Sequence, residues 1–235
     1  MHRIISLLLG LSCFAHAATE EVPSKKPARS CRILFFSPEA GAPEKAFLND
    51  GTADQEVALP SMNLSDVYAL PAGDLILRLL PQKAVAGQPL PAGAPAIALP
   101  ETVQDCYLLI TSDPTNTVLP LRMQMVNADS GKFHAGQMMW FNLSPYTVGG
   151  TLGKSTVNLK PNSRAIVDPP AAGSEYYPVK LGYLPVVGES AEPLSSTLWR
   201  HTPTARSVVF VFVGSNNQLP QFKSFLDSRF VQKTE

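Results

Sequence analysis

The chain has 235 residues with nineteen basic and nineteen acidic side chains, so its formal net charge is zero. That balance supplies no basic footprint for nucleic acid and no polybasic patch for an anionic membrane surface. Apolar residues at 45% against 16% charged exclude a disordered chain, and twenty-two prolines disfavour long helices.

The first residues, Met1-His2-Arg3, are positively charged, and an apolar run follows from Ile4 to Leu11. Ala15-His16-Ala17 then supplies small residues before Ala18, which completes the three-part logic of a secretory signal peptide over 1–17. A retained anchor is the first alternative, but the apolar core falls short of the roughly 20 residues a spanning helix needs. Lipid attachment at Cys13 is the second, and Gly10 stands where such signals usually carry a Leu-like residue. The chain therefore reads as secreted or periplasmic, with no spanning segment in the mature protein. Residues 18–30 are polar and proline-bearing, and read as a flexible N-terminus.

A first series of short apolar runs lies at 33–37, 46–48, 55–59, 67–70, 75–80, 96–99 and 106–111. Gly, Pro, Asn and Asp separate them at roughly even spacing, which is the all-β pattern. The turn-rich stretch 111–117 is the linker candidate, dividing one sandwich over 31–113 from a second over 119–235. Further runs follow at 121–126, 137–141, 147–152, 156–159, 165–167, 177–183, 196–199 and 208–213. Tyr177, Val179, Leu181 and Tyr183 alternate with other residues, as on a half-buried strand. The run 208–213 is apolar on both parities and reads as a central strand covered on both faces. Phe222, Phe225, Leu226 and Arg229 fall at helical spacing, so 218–231 is predicted as a short C-terminal helix. The expected architecture is all-β: two tandem β-sandwiches, with one larger sandwich as the alternative. Asn63-Leu64-Ser65 and Asn142-Leu143-Ser144 give a faint internal echo.

The order Ser37-Pro38-Glu39-Ala40, Asn49-Asp50-Gly51 and Tyr68-Ala69-Leu70-Pro71-Ala72-Gly73 resembles a family of short exported β-rich bacterial domains of unknown function. Phe141-Asn142-Leu143-Ser144 and Leu159-Lys160-Pro161 look like parts of immunoglobulin-like envelope modules. The resemblance implies a secreted, non-catalytic β-sandwich, and carries no functional residues with it.

Cleavage of the leader leaves Cys31 and Cys106, each opening an apolar run. In an oxidising compartment two cysteines most simply form one disulfide, worth ~4 kcal/mol in the chain-entropy model for a loop of this length. Two buried thiols are the alternative.

Candidate chemistry is sparse. Gly149-Gly150-Thr151-Leu152-Gly153-Lys154-Ser155 ends like a phosphate-binding loop, but Val148 occupies the first glycine position and a strand-like run follows. It reads as a glycine-rich hairpin. His134 and His201 have no metal-ligand spacing and no nucleophile elbow nearby. No catalytic residue, metal or cofactor is implied. Tyr146, Tyr176, Tyr177 and Trp199 are the exploratory ligand or partner contacts, since rim aromatics stack on sugars or anchor proteins. The expected function is a non-catalytic exported protein binding another protein or an envelope component. A carbohydrate-binding module is the alternative, and an enzyme built from distant loops the third; oligomeric state is left open.

Overall fold

The proline-punctuated runs fold as strands. The computed structural model describes residues 29–185, 190–214 and 219–228. The expected leader at 1–17, Cys13 and most of the expected flexible segment lie outside the described residues. The end of that segment does not: Ser30 begins a strand, and the buried Arg29 donates to the carbonyls of Val103 (2.8 Å), Leu99 (3.0 Å) and Gly73.

The first half runs β1 (Ser30–Phe35), β2 (Lys45–Asn49), β3 (Asp54–Ala58), β4 (Tyr68–Ala69), β5 (Leu75–Leu80), β6 (Ala96–Leu99), β7 (Asp105–Ser112) and β8 (Leu121–Asn127). The second runs β9 (Met138–Asn142), β10 (Thr147–Leu152), β11 (Ser155–Leu159), β12 (Ser163–Val167), β13 (Tyr176–Leu184), β14 (Glu192–Arg200), β15 (Arg206–Val213) and β16 (Pro220–Asp227). Every expected run overlaps a strand. Two sheets, ordered β4-β1-β7-β8 and β3-β2-β5-β6, make the first sandwich, and β12-β9-β15-β16 with β11-β10-β13-β14 make the second.

The two strand orders are the same order shifted by eight strands. The pairing directions agree as well, with β1 parallel to β7 and β9 parallel to β15. The fold is thus one topology used twice. The expected linker 111–117 sits inside the first sandwich, in the turn between β7 and β8, and the passage between sandwiches follows β8.

Three cores stack through the molecule. Ile33, Phe35, Leu108 and Ile110 pack against Leu48, Leu77 and Leu79 inside the first sandwich. Trp140, Val209 and Val211 pack against Val148, Val179 and Leu181 inside the second. The third core joins the sandwiches: Leu34, Tyr107, Leu109 and Val126 meet Met139, Phe141, Val208, Phe210 and Phe225. Both inner sheets are therefore buried on both faces, which is why β7 and β15 are apolar on both parities.

The predicted C-terminal helix is not seen among the described residues. Its described part is β16, paired antiparallel along β15 from Arg206↔Asp227 to Val213↔Pro220. Phe222 packs into the second sandwich, while Phe225 faces the core between sandwiches. Phe222 and Phe225 lie on opposite faces of this strand, toward two different cores, and that placement reproduces helical spacing.

Cys31 and Cys106 are Cα partners on the parallel pair β1–β7, but the expected disulfide does not link them. Side chains at paired positions of parallel strands project side by side, so closing the bond would mean turning the two Cβ atoms towards each other to roughly 3.5–4.5 Å.

Candidate functional site

The four aromatic residues singled out in the sequence do not form a surface row. Tyr177 is buried in the second core, its hydroxyl 3.8 Å from the Met138 sulfur, and burial pushes its pKa up to about 12. Trp199 is half-buried and stacks on the buried Trp140, with ring centroids 6.1 Å apart and planes within 5°. Tyr146 is half-buried against Tyr183, at 5.3 Å. Tyr176 alone projects, at 70% exposure.

The histidines occupy different settings. His134 is exposed. His201 is buried with Nδ1 3.0 Å from the Gly173 carbonyl oxygen and Nε2 3.2 Å from that of Gly136. The ring is wedged between the loops that carry these two carbonyls. The glycine-rich motif is the β10–β11 hairpin, closed by Leu152↔Ser155 around Gly153-Lys154. Gly150 is required there by contact, since a Cβ would run into the Lys180 carbonyl oxygen on β13. No group of three or more His, Cys, Asp or Glu able to hold a metal occurs among the described residues. No helix among them is long and apolar enough to cross a membrane.

The surface around Tyr176 has a definite composition. Tyr176 pairs with Arg200, and Pro178 with Leu198, across β13–β14, so the four side chains share the outer face of that sheet. Leu198 is 64% exposed. They border the outer edge of β14, which pairs with no other strand among the described residues. At nine residues β14 is the longest edge strand described. Its middle, Leu194-Ser195-Ser196-Thr197-Leu198-Trp199, carries no charge. Edge strands are usually blunted with Lys, Pro or bulges. Here Pro193 and the irregularity at Leu181/Gly182 lie at one end, leaving the stretch from Ser195 to Arg200 in regular pairing. The sequence marked Tyr176 but not the edge, because which strands end a sheet is set by long-range pairing.

No family model matches the chain, and no curated protein matches it.

Proposed function

We infer that this chain is a non-catalytic exported protein that binds another protein of its compartment by accepting an extended segment as an added strand on β14. The single observation that carries this reading is the nine-residue edge with an uncharged middle, beside exposed Tyr176 and Leu198. An added strand takes affinity from main-chain hydrogen bonds and specificity from alternate side chains. Tyr176, Pro178 and Leu198 offer an apolar footing for those side chains, and Arg200 a cation at its end. The leader at 1–17 supplies the export, and the resemblance to exported β-rich domains agrees with it.

A photo-crosslinking residue placed at Ser196 in the full chain tests the reading in the producing cell. A discrete adduct with one other protein is expected, lost when Thr197→Lys is added to charge the edge. The same adduct forming with a crosslinker at exposed Thr156 on β11, or persisting in Thr197→Lys, would exclude the β14 edge. An adduct of two copies of this chain would replace the partner by self-pairing.

A further inference from the structure

The two sandwiches are not in contact over their whole facing surfaces. At one end the inner sheets are pinned by charge: Arg206 donates to Asp227 (2.7 Å) and Asp105 (2.9 Å), and the Tyr107 hydroxyl to Asp227 (2.6 Å). At the other end they part around a cavity of about 440 Å³ between β7–β8 and β9–β12. Phe36, Leu109, Phe141 and Phe210, each less than a tenth exposed, line its inner part. Phe141 and Phe210 stack at 5.0 Å with planes 12° apart, and Phe36 leans on Phe210 at 4.8 Å. The rest of the lining mixes the apolar Met125, Val126 and Leu143 with polar residues such as Thr111 and Ser163.

One charged side chain lines the cavity, Arg164 on β12. It lies opposite Phe141 in the β9–β12 register, is exposed, and enters no ion pair among the described residues. No carboxylate is among the lining residues. The volume falls in the range of small-molecule sites, which are mostly apolar with a few orienting polar groups. A guanidinium at the rim of an aromatic pocket is matched by a single acid group, held by its fork of donors, on an apolar body that displaces water from the rings.

We propose that this inter-sandwich cavity is a binding site for a monoanionic amphiphile, an aromatic or hydrocarbon body carrying one carboxylate or sulfonate. The body lies on Phe36, Phe141 and Phe210, and the acid group on Arg164. One rim cation does not match a polyphosphate. The site is separate from the β14 edge and stands or falls without it.

Fluorescence titration of the full chain with 1-anilinonaphthalene-8-sulfonate, and with its neutral parent N-phenyl-1-naphthylamine, tests the assignment. Saturable binding of both dyes at one site per chain is expected, with laurate displacing them. Arg164→Gln should weaken the sulfonate at least tenfold and leave the neutral dye within twofold. Gln124→Trp, which fills the mouth from an exposed position, should abolish both. Circular dichroism melts of both variants, whose altered residues are exposed, check that the fold is kept. Equal loss of both dyes in Arg164→Gln, unchanged binding in Gln124→Trp, or several equivalent dye sites per chain would overturn the proposal.

Discussion

Single residues decide how this all-β chain is tied together, and several act against their ordinary chemistry. Tyr177 is a phenol in an apolar core, and burial alone lifts its pKa from 10.0 to about 12. The folded state therefore holds the phenolic proton where the unfolded state has released it. Its contribution to stability is fully present below pH 10 and is lost as pH rises through the folded value near 12. Urea unfolding between pH 9 and 12 should show stability falling, and Tyr177→Phe should flatten the part of that fall due to this group. An identical alkaline slope in the two proteins would remove Tyr177 as its source. The Asp50 carboxylate goes the other way. Burial by itself would raise its pKa, but the backbone N–H groups of Ala53 and Thr52 and the Thr52 hydroxyl outweigh that and hold it below its usual value. It closes the turn between β2 and β3.

At the scale of elements, most strands were legible because alternation and turn chemistry are local. β13 shows its buried parity as Tyr177, Val179, Leu181 and Tyr183, and β15 shows double burial as an unbroken apolar run. β16 carries helical spacing because Phe222 and Phe225 serve two different cores, a property of its neighbours and not of its own residues. The correction has a measurable consequence. Phe225 is 4% exposed between the sandwiches, whereas Leu226, its chain neighbour, is 50% exposed. Phe225→Ala should cost about 3–5 kcal/mol, and Leu226→Ala no more than about 0.5 kcal/mol, in chemical denaturation. A helix with Phe222, Phe225 and Leu226 on one buried stripe would make both substitutions costly, so similar losses would contradict the strand. The Asn-Leu-Ser echo is instructive in the same way. Its first copy lies between β3 and β4 and its second at the end of β9, so the two are not equivalent in the fold. The repeat is in topology, and its matched positions are Ser37-Pro38 and Ser144-Pro145. Phe36 N–H donates to Ile110 and Leu143 N–H to Val211 just before them, in the same register.

At the scale of the whole molecule, the two sandwiches use the same face of the same topology to meet each other. Asp105 opens β7 and Arg206 opens β15, at matching places in the repeat, and they form an ion pair across the junction. Asp227 receives Arg206 and, from the first sandwich, Arg32 at 2.7 Å and the Tyr107 hydroxyl. None of this was visible in sequence: a lone Arg or Asp at the head of an apolar run looks like a strand-end surface charge. The cavity at the far end was hidden for the same reason, because its walls come from both halves. Buried ion pairs add little net stability over apolar packing, but removing one partner strands the others and costs about 3–5 kcal/mol. Exposed pairs are worth at most about 1 kcal/mol, so Lys45 with Glu56, both more than half exposed, serves as the internal comparison. The native protein should unfold in one calorimetric transition with calorimetric and van't Hoff enthalpies equal, since the junction couples the two cores. Arg206→Ala leaves Asp105 and Asp227 facing a buried gap, so its transition should move down and separate into two, while Lys45→Ala shifts it little. Two transitions already present in the native protein, or equal effects of the two substitutions, would mean that each sandwich is stable alone and the charge cluster does not couple them.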